Sequence, residues 1–174
     1  PAIVAFGKNS AIPHHKPGMS ALKKGDTVLI DFGVLYHGYC SDMTRTFFFQ
    51  ELDSRQEEIY KTVLAAQQLG MQNIKVSKSC IGAYESVLKF FAMKNLQEYF
   101  THSLGHGVGV EIHEAPSLAK TSKERFRESE IVTCEPGLYF PGEFGVRIED
   151  LGVVKKEGYE VYTKDCRKDL RIIG

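Results

Sequence analysis

The order of its elements makes this chain an α+β protein. Three observations predict that class: a β-hairpin over residues 27–49, a pair of amphipathic helices opening near Ser54 and Ser79, and a run of strands and turns after residue 99. Strands, then helices, then strands again differ from the strict alternation of a doubly wound sheet.

The hairpin comes first. Thr27-Val-Leu-Ile-Asp-Phe32 and Gly38-Tyr-Cys-Ser-Asp-Met-Thr-Arg-Thr-Phe-Phe-Phe49 are rich in β-branched and aromatic residues, and Tyr36-His-Gly38 supplies the turn. Asp31 and Asp42 fall on its two arms. A carboxylate that interrupts Val-Leu-Ile is costly unless something charged meets it.

Ser54-x-x-Glu57 has the form of a capping box and opens the first helix. Its apolar face uses Ile59, Tyr60, Val63, Leu64, Met71 and Ile74 at helical spacing. The second helix begins near Ser79 and buries Ile81, Tyr84, Val87, Leu88 and Phe91. Beyond residue 99 the expected strands are 106–112, 131–140, 145–155 and 159–163. Residues 115–130, rich in Pro, Lys, Ser and Glu, read as a surface loop.

At 174 residues the chain is long enough for one domain with a real core. Apolar residues make up 43% of it, charged residues 25%, and the formal net charge is zero. Nothing in that balance points to nucleic acid or an anionic membrane as a partner. The basic pairs Lys23-Lys24, Lys155-Lys156 and Arg167-Lys168 read as solvated surface. No apolar run approaches the ~20 residues of a transmembrane helix, and no signal-peptide pattern opens the chain. Cys40, Cys80, Cys134 and Cys166 are far apart and form no Cys-x-x-Cys pair, so a reduced, cytoplasmic protein is expected. Cys134 adjoins Glu135; on a strand it faces the other way, into the core.

Five residues able to bind metal stand in the order Asp31, Asp42, His106, Glu135, Glu149. Two divalent cations carry four positive charges, and the four carboxylates carry four negative ones. That balance suits a carboxylate-bridged metal pair in a partly dry cleft. The oxygen-rich set argues for manganese, cobalt or iron over a thiolate zinc site. His106 lies in His102-Ser-Leu-Gly-His106-Gly-Val-Gly-Val-Glu-Ile-His113-Glu114, where the glycines exclude the helix of a His-Glu-x-x-His zinc protease. Three of the six histidines lie between His102 and His113. Any one of them alone could be a hydrogen-bonded core residue. The second dense segment is Thr133-Cys-Glu135-Pro-Gly-Leu-Tyr139 with Gly145-Val-Arg147-Ile-Glu149-Asp150. Arg147 and Glu149 are two apart and share a face if the segment is a strand. A buried salt-bridge network is the alternative reading there, and Asp150 is read as structural.

These words resemble the pita-bread metallopeptidases. The five residues stand in the order and spacing of that family's ligands. The surrounding motifs match too: Ile-Asp-Phe-Gly, Tyr-Cys-Ser-Asp-Met-Thr-Arg-Thr, Gly-His-Gly-Val-Gly with a following His-Glu, Glu-Pro-Gly-Leu-Tyr and Val-Arg-Ile-Glu-Asp. With Asn9-Ser-Ala-Ile-Pro-His14 the similarity runs from about residue 3 to the C-terminus. The wording is similar to the proline-directed branch, prolidase (Xaa-Pro dipeptidase) and aminopeptidase P. Methionine aminopeptidases usually lack the Tyr after Glu-Pro-Gly-Leu and the Arg-x-Glu-Asp run.

The resemblance implies a curved antiparallel sheet with helices packed on one face, and a dinuclear hydrolase that cuts before proline with a metal-bridging hydroxide. It implies that Asp42 and Glu149 bridge the ions, that His106 and Glu135 complete one site, and that Asp31 completes the other. Manganese is the expected metal, with cobalt, iron or zinc as alternatives. It also implies Glu135 as proton shuttle, His113 as oxyanion donor, His102 against the residue after the cut, and His14 and Arg147 as substrate-orienting groups. Arg147 could instead brace Asp31 or Glu149. The expected partners are proline-containing dipeptides or short peptides, and a homodimer is compatible with the sequence. A prolidase is expected ahead of an aminopeptidase P. A methionine-type aminopeptidase and a non-catalytic binding module of the same fold are the other classes. Residues 1–174 are expected to form a catalytic domain short of its usual front, because the chain starts at Pro1, without the helices and N-terminal domain usual in the family.

Overall fold

The computed structural model describes residues 2–174. Its strands are β1 (Ile3–Phe6), β2 (Thr27–Phe32), β3 (Leu35–Tyr36), β4 (Tyr39–Cys40), β5 (Met43–Phe49), β6 (His106–Gly107), β7 (Glu114–Ser117), β8 (Ile131–Cys134), β9 (Gly137–Phe140), β10 (Phe144–Arg147), β11 (Asp150–Lys155), β12 (Gly158–Val161) and β13 (Ile172–Ile173). Helices α1 (Ser54–Gln72) and α2 (Cys80–Ala92) separate β5 from β6. One sheet has the order β1-β2-β5-β13 and a second the order β12-β11-β8-β6-β7, with β9-β10 and β3-β4 as two-stranded ribbons. The predicted α+β class and mainly antiparallel pairing are present. Among the described residues the one parallel pair is β13 on β5, where Ile172 and Ile173 lie against Phe48 and Phe49.

Both helices stack their apolar stripes on one side of the strands. The core holds Ile59, Tyr60, Val63, Tyr84, Val87 and Phe91 against Phe48, Leu104, Val132, Cys134, Val146 and Ile148. Leu64, Met71 and Leu88 pack at its margin. The period of 2 along β8 sends Val132 and Cys134 into this core and leaves Thr133 for the opposite face, as expected for the neighbours of Glu135.

Several boundaries differ from the sequence reading. The cap of α1 is Asp53, not Ser54: its carboxylate accepts from Gln56 N at 2.8 Å, and Gln56 Oε1 accepts from Asp53 N at 2.9 Å. Gln56 also donates to Gly25 O and Thr27 Oγ1, at 2.9 and 3.2 Å, and this tie to the sheet favours the earlier register. The long second arm of the hairpin is broken. Residues 35–40 form a separate small hairpin around His37 and Gly38, both at positive φ, and Asp42 sits between β4 and β5. A Cβ on Gly33 would lie 1.8 Å from Ser41 O, so only glycine lets the two arms cross there.

Strand β7 occupies part of the expected loop 115–130, because Ser117 and Glu114 pair with His106 and Gly107. The expected strands 131–140 and 145–155 are each split, at Glu135-Pro136 and at Ile148-Glu149. Lys168 is not plain solvated surface: it is half-buried and ion-paired with Asp150. All four cysteines are free thiols. Among the described residues no helix is long and apolar enough to cross a membrane.

Candidate active site

Every residue named as a candidate ligand lines one open cleft of about 1230 Å³, on the side of the sheets away from the helices. Asp31 is directly opposite Thr44 in the β2–β5 register, so both side chains leave the same face. Glu135 and Glu149 project from the two breaks between strands. The amide of each glutamate is held across the break: Glu135 N donates to Leu104 O at 2.8 Å and Glu149 N to Thr44 O at 3.1 Å.

His106 is seated by its glycines. A Cβ on Gly105 would lie 2.2 Å from Thr133 O, so the strand comes closer to β8 than any side chain would allow. His106 N donates to Thr133 Oγ1 at 3.1 Å, and Nδ1 donates to Gly107 O at 3.0 Å. Nε2 is thereby turned toward Glu135 Oε1, 3.3 Å away, and Asp42 Oδ2, 3.7 Å away. One ligand atom each from Asp42, His106 and Glu149 lie within 4.8 Å of one another. Asp31 stands apart from that trio, with its Oδ2 held by Arg147.

The electrostatics of this group call for a cation. Burial, then the charges of Asp31 and Glu135, raise Asp42 to about 7. Burial, then Glu135 and Asp42, push Glu149 well above the usual carboxylate range. Burial alone would raise Glu135 as well, but the hydrogen bond and charge of His106, with His102 and Arg147, bring it down to about 2. His106 is raised by that same partner, against burial, which would lower it. Without a metal the cluster therefore holds protons that a divalent ion would displace. Thr44 Oγ1 donates to Glu149 Oε2 at 2.7 Å, whereas Glu149 Oε1 is buried with no hydrogen-bond partner among the described residues. A buried carboxylate oxygen without a partner is costly, and a cation is the partner this donor set fits.

Arg147 is 3% exposed and engages four of its five N–H donors: Nε to Thr44 Oγ1 (3.1 Å), Nη1 to Pro13 O (3.2 Å) and Tyr139 Oη (2.9 Å), and Nη2 to Asp31. Tyr139 O–H donates in turn to His102 Nε2 at 2.8 Å, and His102 Nδ1 donates to Ser103 O at 2.7 Å. Burial lowers the pKa of His102. His113 is exposed at the cleft, its ring 4.2 Å from that of His106, and burial and the His106 charge hold its pKa down. His14 lines the same cleft from the segment that carries Pro13.

The profile of metallopeptidase family M24 matches residues 1–156. The chain belongs to family M24.

An Xaa-Pro dipeptidase from Bacillus anthracis is 45% identical, with a TM-score of 0.96 over 99% of this chain and 48% of that one. An X-Pro aminopeptidase from Thermotoga maritima is 35% identical, with a TM-score of 0.95 over 99% of this chain and 48% of that one. A provisionally named dipeptidase, YkvY, of Bacillus subtilis (strain 168) is 42% identical over 98% of this chain and 47% of its own length. The chain thus spans about half the length of these M24 relatives. The neighbours carry the pita-bread fold of M24, which is the fold expected from the sequence.

Two groups in this M24 site were not singled out from sequence. Thr44 touches both Arg147 and Glu149, and Thr133 bridges His106 N and Glu135, donating to Glu135 Oε1 at 3.3 Å. Threonine is ordinary in strands, so neither stands out. The one available signal was parity, since Thr133 alternates with core-facing Val132 and Cys134.

Proposed function

We propose that this chain is the catalytic domain of a dinuclear Xaa-Pro dipeptidase. The observation that carries the reading is the trio Asp42, His106 and Glu149 at the floor of the cleft, with the unpartnered Glu149 oxygen among them. The dipeptidase names among the relatives support the substrate class. In this reading Asp42 and Glu149 would hold both ions, with His106 and Glu135 completing one site and Asp31 the other. Manganese is the first candidate because the donors are mostly hard oxygens. When bound, the ions lower the pKa of a water from 15.7 toward roughly 7 and polarise the scissile carbonyl.

The chain's own residues do the rest. Glu135, ionised and beside His106, takes a proton from the water and returns it to the leaving proline nitrogen. His113, neutral and exposed at the cleft, donates a hydrogen bond to the oxyanion. His102 and His14 line the cleft as groups that orient the substrate. We read Arg147 as a brace for Asp31, because one N–H remains free and a bidentate grip on a substrate carboxylate needs two. The free thiols fit a reduced, cytoplasmic setting.

The test is a comparison of three substrates with the manganese-loaded protein: an Ala-Pro dipeptide, a longer Ala-Pro peptide and a Met-Ala peptide. The dipeptide is expected to be cleaved best. Preference for the long Xaa-Pro peptide moves the assignment to aminopeptidase P, and preference for Met-Ala moves it to a methionine-type enzyme.

A further inference from the structure

Behind the cleft, on the far face of β5 from Thr44, lies a buried polar cluster that the reaction does not use. Its centre is Arg45, 5% exposed. Arg45 Nη1 donates to Thr44 O at 2.9 Å and to the main-chain carbonyl of Glu149; Nη2 reaches Asp150 Oδ1 at 2.8 Å. Its remaining bonds go to the C-terminal segment: Nε and Nη2 to Cys166 O, at 3.0 and 2.7 Å, and Nη2 to Thr163 O at 3.3 Å.

The same segment grips Asp150, which is fully buried. Thr163 Oγ1 donates to Asp150 Oδ1 at 2.7 Å, and Lys168 pairs with Oδ2. Lys168 Nζ also donates to Gln67 Oε1 at 3.1 Å, and Gln67 Nε2 donates to Cys134 O at 3.2 Å. Tyr60 O–H fixes Lys168 O at 3.1 Å. The cluster thus holds the carbonyl of Glu149 itself and that of Cys134, the residue before Glu135. Cys134 ends β8 in register with Asp150, and Glu149 lies in the break just before β11, so these side-chain bonds add to the single main-chain N–H bonds that Glu135 and Glu149 make to Leu104 O and Thr44 O.

We propose that residues 163–168 are a positioning element of the metal centre, fixing through Arg45, Asp150 and Gln67 the backbone from which Glu135 and Glu149 project. This rests on the reading of those two glutamates as ligands. A segment that only stabilised the fold would change the melting temperature alone. One that aims the ligands changes metal affinity in a protein that is still folded, and outer partners of ligands are typically worth 10–100-fold in affinity.

The experiment is calorimetric titration of the metal-free chain with manganese, beside thermal unfolding without metal. Lys168→Met should keep its native circular dichroism at the titration temperature and bind manganese about 10–100-fold more weakly. Lys168→Arg should recover most of the loss. Thr163→Val, which removes one hydroxyl, serves if Lys168→Met fails to fold, with a weaker effect of the same sign. Parent-like affinity in a folded Lys168→Met or Thr163→Val, whatever their melting temperatures, overturns the proposal. A parent chain that binds no manganese overturns the reading of the site itself, and this inference with it.

Discussion

Thr44 and Glu149 share a hydrogen bond of 2.7 Å that fixes one carboxylate oxygen and leaves the other buried without a partner. The hydroxyl can donate only once, and it is already an acceptor for Arg147 Nε. Among the described residues nothing else satisfies Glu149 Oε1. Asp31, Asp42 and Glu135 line the same cleft, so the arrangement is poorly satisfied as a metal-free site and well suited to cations.

Metal affinity should therefore depend on pH in one direction. Asp42, raised to about 7, and Glu149, pushed well above the usual carboxylate range, bind protons in the metal-free protein and must release them to an ion. Below about pH 7 the manganese affinity should fall by roughly tenfold per pH unit for each proton displaced. Titrations in buffers of different ionisation enthalpy would show the release directly. A flat profile from about pH 5.5 to 8 would mean that the cluster is already ionised without metal.

His113 sits against His106 and holds no place among the close trio. His113→Ala should keep its metal and lose about 10²–10³ in kcat, the usual loss for one oxyanion-type donor. Metal content measured beside kcat separates the roles. Loss of metal in this variant would make His113 a ligand.

Arg147 spends its fork on protein acceptors, Asp31 and Thr44 among them. Arg147→Lys keeps the charge but not the fork. Its kcat/KM should drop by similar factors on an Ala-Pro dipeptide and on a longer Xaa-Pro peptide, through misplacement of Asp31. A loss confined to the dipeptide would restore Arg147 as a reader of the substrate carboxylate.

Much of this was legible in the sequence because it was written in local patterns. The helix stripes around Val63 and Val87 and the alternation around Thr133 all give periodic signals. The five candidate ligands stood out because carboxylates and a histidine interrupt apolar or glycine-rich runs. Pro136-Gly137 marks the first strand break, whereas Val146-Arg-Ile-Glu149 carries no residue that announces the second. The small hairpin at 35–40 depends on Gly33 passing Ser41, a contact no local pattern announces. Lys168 looked like surface because its partners, Asp150 and Gln67, lie 18 and 101 residues away.

Metal stoichiometry in Glu149→Ala tests the central claim most directly. Elemental analysis of the chain, loaded with manganese and passed through a desalting column, should give about two ions per chain, as in two-metal hydrolases. Glu149→Ala, folded by circular dichroism, should lose metal from both positions, because one carboxylate serves both. Two ions retained undiminished in that variant would contradict the account.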